Sequence, residues 1–175
     1  MLFRSSLMRK ITMALGCAIG LALASSEAFA ETNKTGPWKI EGILIEQAWA
    51  RVNAGGAKTG AVYLTIQNTS LTDDLLLAVD SAAATTTAVH QSVVEDDVAK
   101  MKSMPFGVEV KSGKEVILKP GAIHIMLTGL SGALQPGDQL PVTMVLREAG
   151  SLDLDVPVLP LGAKDPEVSH GGHTP

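Results

Sequence analysis

Cysteine is almost absent from this sequence. The 175-residue chain has one, Cys17, near its N-terminus. The chain that follows it can form no disulfide and offers no thiolate to a metal ion. A blue-copper electron carrier is therefore excluded, because that site requires a cysteine thiolate.

Basic and aromatic residues are also scarce. The chain has 14 Lys and Arg against 18 Asp and Glu, and aromatics make up 3% of it. It has no basic patch or Arg/Lys-rich helix, so we expect no nucleic-acid partner. We expect Trp49, Tyr63 and Phe106 to pack in the core or at its rim, and nothing in the sequence requires Trp49 to lie near a metal. No Ser/His/acid set or carboxylate pair can be argued to converge, so we expect no enzyme.

The one long apolar run lies in residues 1–30, which have the features of a secretory signal peptide. A basic start precedes the run "ITMALGCAIGLALAS", and small residues at Ala28 and Ala30 suit signal peptidase. The run is shorter than the ~20 residues that span a bilayer, so we expect no stable membrane insertion. Lipid attachment at Cys17 is the alternative, but the apolar stretch continues past it. We expect cleavage after Ala30 and a periplasmic protein that begins at Glu31.

The remaining chain contains no convincing helical period. Short runs rich in Val, Ile, Leu and Thr alternate with turns that contain Gly, Pro, Asn and Asp. This pattern predicts an all-β domain over residues 31–160, built as an antiparallel sandwich or barrel. Residues 161–175 read as a flexible polar tail with two histidines, His170 and His173.

Histidine and methionine are few, and they cluster. In "GAIHIMLTGL", a strand puts His124 and Met126 on one face, roughly 6.5–7 Å apart, which allows both to bind one ion. The alternative is that Met126 fills a packing gap and His124 is a surface or satisfied core histidine.

A second pair lies in "VHQSVVEDDVAKMKSM". A hairpin centred between Glu95 and Asp96 would put His90 directly opposite Met101, and an odd-length loop would flip the faces. Met104 would point to the other face of a regular strand, so we treat it as a candidate accessory ligand only. Taken singly, Met101 and Met104 can equally be packing residues.

Together the two pairs indicate a soft-metal site. Thioether sulfur is soft and uncharged, and imidazole supplies a borderline nitrogen. Two histidines with two or three methionines form a neutral set that suits Cu(I), and methionine forms no disulfide in an oxidising compartment. In the tail, His170 and His173 could capture Cu(II), although a short solvated terminus explains them as well.

The stretches "AWARVNAGGAKTGAVYLTIQN", "VHQSVVEDDVAKMKSM" and "LKPGAIHIMLTGL" resemble the periplasmic copper chaperone family PCu(A)C. The family's motif corresponds to the metal ligands His90, Met101, His124 and Met126. Ser92 stands where many members have a further methionine. The resemblance implies a cupredoxin-like Greek-key β-sandwich that carries Cu(I) as its cofactor. It also implies delivery to the copper A centre of cytochrome c oxidase, directly or through a thiol-reductase assembly partner.

Two other functions remain open at the level of sequence. One is a metal-free extracytoplasmic β-sandwich that binds a protein partner, for which the His/Met clustering would be coincidental. The other is a copper storage or scavenging protein that does not serve the oxidase.

Overall fold

A computed structural model describes residues 36–52 and 58–163 of the chain. The expected signal peptide, Cys17, the new terminus at Glu31 and the tail histidines His170 and His173 lie outside these described residues. The expectations attached to them remain predictions.

Within the described ranges the chain forms β-strands and no α-helix, which confirms the all-β prediction. No described helix is therefore long and apolar enough to span a membrane. The strands are β1 (Trp38–Ile40), β2 (Ile43–Val52), β3 (Thr59–Asn68), β4 (Asp74–Asp80), β5 (Ala84–Glu95), β6 (Val98–Ser103), β7 (Val108–Val110), β8 (Glu115–Leu118), β9 (Ile123–Leu130), β10 (Gln139–Leu146) and β11 (Gly150–Leu159).

The strands pair in the order β6-β5-β9-β3-β2-β11-β10-β4-β7, with β1 also paired to β2 and β8 to β3. All pairs are antiparallel except β11 with β2, which join in parallel over Val158 and Leu159. Apolar side chains from both halves of this order, such as Val62 and Ile125 with Val142 and Leu154, form one buried cluster. The core therefore lies between the two halves, and the outer faces are left for function.

The strand β2 changes face in its middle. Glu46 pairs with Thr65 and Trp49 pairs with Tyr63, so Gln47 and Ala48 together oppose one residue of β3. Gln47 adopts a positive φ of 51°, which residues other than glycine rarely adopt. Such a bulge adds a residue and reverses the inward and outward alternation beyond it.

The bulge decides where two side chains point. Regular alternation from the core residue Ile45 would direct Trp49 and Arg51 inward. Beyond the bulge, Ala50 faces the core opposite Val62, while Trp49 and Arg51 lie on the outer face of the sheet. This is the face that carries the candidate metal ligands.

Candidate metal centre

His90 and His124 lie directly opposite each other. Strands β5 and β9 are antiparallel neighbours, and their register pairs His90 with His124. The ring centroids are 6.2 Å apart, with the ring planes at 77°. Each centroid would lie about 3 Å from an ion bound through a ring nitrogen, given metal–nitrogen bonds of about 2.0–2.1 Å. The separation therefore matches two imidazoles that share one ion.

The local turn and backbone fix His124 in one tautomer. Strand β9 follows a turn in which the Ala122 N–H donates to the Lys119 carbonyl, with Pro120 and the positive-φ Gly121 at its centre. The Nδ1 of His124 lies 3.0 Å from the Ala122 carbonyl oxygen. A carbonyl oxygen can only accept, so Nδ1 carries the proton and the Nε2 lone pair of the neutral ring is left free. Metal-binding histidines are commonly oriented in this way.

His90 presents a nitrogen that the protein does not satisfy. Its Nδ1 is buried and has no hydrogen-bond partner among the described residues. A buried polar atom without a partner costs free energy, about 1–3 kcal/mol. Such atoms are rare enough to require an explanation, and a bound ion provides one.

The β5–β6 hairpin places Met101 two residues away from its predicted position. Asp96 and Asp97 form the two-residue loop, each with a positive φ, as a type I′ turn requires. Met101 therefore faces Ser92, and His90 faces Ser103. The predicted pairing of His90 with Met101 is wrong because the turn is centred one residue later. The shift of two preserves the face, so Met101 still shares the side of the sheet with His90.

The two candidate methionines flank the histidine pair. Met126 faces Ala88, two residues before His90, whereas Met101 faces Ser92, two residues after it. Met126 is half-buried, and Met101 is 61% exposed on the edge strand β6. The structure therefore brings the histidines together, with Met126 next to His124 on the same strand face and Met101 as the outermost donor.

Met104 is directed elsewhere. Its backbone N–H donates to the Val89 carbonyl at 2.9 Å, which continues the hairpin register. Val89 is buried in the core, and the half-buried Met104 side chain packs against the same core. The structure thus places the candidate accessory ligand Met104 on the face opposite Met101.

A buried aromatic pair adjoins the histidines. Tyr63 on β3 has its ring centroid 6.4 Å from that of His124 and 4.5 Å from that of Trp49. Arg51 donates from Nη2 to the Tyr63 hydroxyl at 3.2 Å. Sequence reasoning assigned Trp49, Tyr63 and Phe106 to the core or its rim and did not consider Arg51. The assignment is wrong for Phe106, which is 90% exposed. The alternation of "AVYLTIQN" contains a signal for Tyr63, because Val62, Leu64 and Ile66 form the inward face.

Hard-cation ligands do not gather in the part of the chain that the structure describes. No group of three or more His, Cys, Asp or Glu side chains comes together there in a way that could hold a metal ion. In the acidic turn, Glu95 forms ion pairs with Lys100 at 3.2 Å and with Lys102. The hydrogen bonds from Lys102 and Lys100 lower the pKa of the Glu95 carboxyl. The carboxylate is thus used to brace the hairpin, and the two histidines need the thioethers to complete a ligand set.

A family model described as "Putative lipoprotein LpqE-like" matches residues 43–158. The chain belongs to the LpqE-like family. This LpqE-like chain is 27% identical over 158 residues to the "Putative lipoprotein Lxx21020" of Leifsonia xyli, covering 90% of this chain and 89% of that one. It is also 30% identical over 100 residues to the uncharacterized protein RP573 of Rickettsia prowazekii, covering 55% of each.

Solved PCuAC domains share the fold of this LpqE-like chain. The copper-bound PCuAC domain from PmoF2 superimposes with a TM-score of 0.60 at 22% identity, over 70% of this chain and 97% of that domain. The Cu(I) form of DR1885 from Deinococcus radiodurans gives 0.51 at 22% identity, over 78% and 85%. The resemblance to the PCu(A)C family and the cupredoxin-like β-sandwich predicted from it are both confirmed.

Proposed function

We propose that this protein is an exported copper carrier that binds one Cu(I) ion between His90 and His124, with Met126 and Met101 as thioether ligands. The observation that carries the proposal is the opposed histidine pair. One ring has its Nε2 left free by the Ala122 carbonyl, and the other has a buried nitrogen without a partner. The donor set is neutral and soft, which favours a monovalent soft ion over Mg²⁺, Ca²⁺ or Zn²⁺.

The relatives support a role with copper. The PmoF2 domain was solved with copper bound and DR1885 with Cu(I) bound. We extend this binding to the present chain because it shares their fold and places histidines and methionines on one face. We propose carriage of the ion and no catalysis.

Export and delivery complete the proposal. The LpqE-like family and the Leifsonia xyli relative are described as putative lipoproteins, which supports a location outside the cytoplasm. The intact mass of the exported protein distinguishes a periplasmic chain that begins at Glu31 from one with lipid on Cys17.

For the recipient we propose the copper A centre of cytochrome c oxidase or its thiol-reductase assembly partner. Thiolates there would take Cu(I) from neutral ligands by exchange.

Cu(I) binding is tested by competition with a chromophoric Cu(I) chelator, without oxygen, on the exported protein. Wild type should bind one equivalent. His124→Ala and Met126→Leu should each weaken binding by about 100-fold, because both remove a donor beside the opposed rings. Met104→Leu is the matched control, since Met104 packs against the core. A His124→Ala protein that holds Cu(I) as wild type does would refute the site.

Delivery is tested with the same Cu(I)-loaded protein. Mixed with the metal-free copper A domain of the oxidase, or with the reduced thiol-reductase protein, it should lose its copper to the acceptor. Acceptor variants with serine in place of the ligand cysteines should receive none. Tight Cu(I) binding without transfer to either acceptor would favour copper storage or scavenging instead.

A further inference from the structure

Arg51 lies on the face of the sheet that carries the proposed copper ligands. The register pairs Arg51 of β2 with Ala61 of β3, and Ala61 with Met126 of β9. Two strand spacings put the backbones of Arg51 and Met126 about 10 Å apart. The residue between them has only a methyl side chain, so no bulky group in this row separates the arginine from the thioether.

The guanidinium of Arg51 is held in place by the aromatic pair. It donates to the Tyr63 hydroxyl at 3.2 Å, and its Cζ lies 5.6 Å from the Tyr63 ring centroid and 6.0 Å from that of Trp49. Both rings are almost fully buried, at 4% and 3% exposure, and Tyr63 adjoins His124. The ion pairs formed between described residues do not include Arg51. A fixed positive charge therefore lies beside the site.

We propose that Arg51 sets the preference of the site for Cu(I) over Cu(II), an inference that rests on the proposed function. Two imidazoles and two thioethers carry no charge, so the loaded site has a charge of +1 with Cu(I) and +2 with Cu(II). The arginine therefore repels Cu(II) more strongly than Cu(I), because Cu(II) carries one additional unit of positive charge. It thereby adds to the selectivity that the soft sulfur ligands already supply.

The size of the effect follows from Coulomb's law. Two unit charges separated by about 10 Å, the backbone spacing of Arg51 and Met126, interact at an effective dielectric constant of about 25 to 50 with an energy worth roughly threefold to tenfold in an equilibrium constant. Added salt should reduce the effect, because the Debye length is itself about 10 Å at 0.1 M ionic strength.

The test compares Arg51→Met, which removes the charge and keeps an apolar stem, with Arg51→Lys, which keeps the charge. Cu(I) affinity is measured with the chromophoric chelator, Cu(II) affinity by competition with glycine, and the midpoint potential by voltammetry. In Arg51→Met we expect the ratio of Cu(I) to Cu(II) affinity to fall about threefold to tenfold, which corresponds to a potential lower by about 30–60 mV. The ratio of Cu(I) to Cu(II) affinity in Arg51→Lys should stay within about twofold of the wild-type ratio.

Trp emission and thermal unfolding of the metal-free proteins check that the aromatic pair is intact. If Arg51→Met does not fold, Arg51→Gln takes its place, since glutamine is neutral and can still donate to Tyr63. An unchanged affinity ratio in the neutral variant overturns the inference and leaves Cu(I) binding by the wild type intact. Equal changes of the affinity ratio in Arg51→Lys and in the neutral variant also overturn the inference, because they would reflect altered packing of the side chain and not its charge. A wild type without Cu(I) affinity overturns both this inference and the proposed function.

Discussion

The four proposed ligands differ in how far they are withdrawn from solvent. His124 is 7% exposed, His90 and Met126 are half-buried, and Met101 is 61% exposed. A buried ligand contributes to retention of the ion, whereas an exposed one on an edge strand can be replaced by an incoming donor. Ligand exchange with a recipient should therefore begin at Met101, while the histidine pair holds the ion.

This gradient predicts the behaviour of Met101→Leu. Leucine keeps the apolar volume and removes the sulfur, so the fold should be unaffected. We expect Cu(I) affinity to fall by about 10-fold, at the low end of the 10–100-fold range seen when the support of a metal site is weakened. Stopped-flow transfer to the chelator should be correspondingly faster. Met104→Leu is the control, and a loss as large as that of His124→Ala would contradict the assignment of Met101 as the outermost donor.

Strand alternation alone predicted that His124 and Met126 share a face, because the period of two follows directly from backbone geometry. The position of Met101 was wrong by two residues for a specific reason. Three consecutive acidic residues, Glu95 to Asp97, fit several hairpin turns, and the sequence does not show which two adopt positive φ. The face was nevertheless correct, because a shift of two residues leaves every side chain on its original side.

At the level of the strand, the bulge in β2 places Trp49 and Arg51 on the face of the sheet that carries the proposed ligands. "ILIEQAWARV" contains no glycine or proline to mark a break, so its sequence reads as one regular strand. The positive φ of Gln47 is a local conformation that is sustained by the surrounding pairing of β2 with β3. Backbone strain of this kind is frequently found next to functional sites. The placement of Trp49 and Arg51 could therefore not be predicted from alternation.

The bulge predicts opposite effects for two substitutions of Gln47. Gln47→Val puts a β-branched residue at a φ of 51° and should lower the free energy of unfolding by about 1–3 kcal/mol. Gln47→Gly, which accepts this φ without strain, should not destabilise the protein. Urea unfolding followed by Trp emission measures both. The control is Gln67→Val, because Gln67 lies on the neighbouring strand β3, on the same face of the sheet, and has an ordinary strand φ. Equal stability of the two valine variants would contradict backbone strain at Gln47.

Over the whole molecule, the strand order assembles residues that are far apart in sequence. Tyr63, His90 and His124 lie on β3, β5 and β9, which are neighbours only because β9 inserts between the other two. The sequence predicted two His/Met pairs but not that the histidines would oppose each other. No local pattern encodes the pairing of β5 with β9, since it depends on how all the strands share one core.

A buried carboxylate, that of Asp74, links strand β4 to the turn between β10 and β11. Asp74, 4% exposed at the start of β4, accepts hydrogen bonds from the N–H groups of Leu75 at 2.7 Å, Glu148 at 2.9 Å and Ala149 at 3.1 Å. Burial by itself would raise the pKa of the Asp74 carboxyl, but these backbone hydrogen bonds outweigh it and lower the pKa. The carboxylate thus ties β4 to the turn between β10 and β11.

This linkage predicts how the fold responds to acid. The pKa of Asp74 is lower in the folded chain than in the unfolded chain, where it is about 4, so the unfolded chain binds more protons between the two values. The stabilisation is complete above about pH 5 and is lost as the pH falls through the folded-state pKa. Asp74→Asn should cost about 1–3 kcal/mol at pH 7, because an amide leaves backbone donors poorly paired, and should unfold with a weaker pH dependence below about pH 5. Urea unfolding from pH 7 to pH 2 measures both effects, with the exposed Asp155→Asn as control. An Asp74→Asn protein that loses stability in acid as steeply as wild type would show that another carboxylate governs this range.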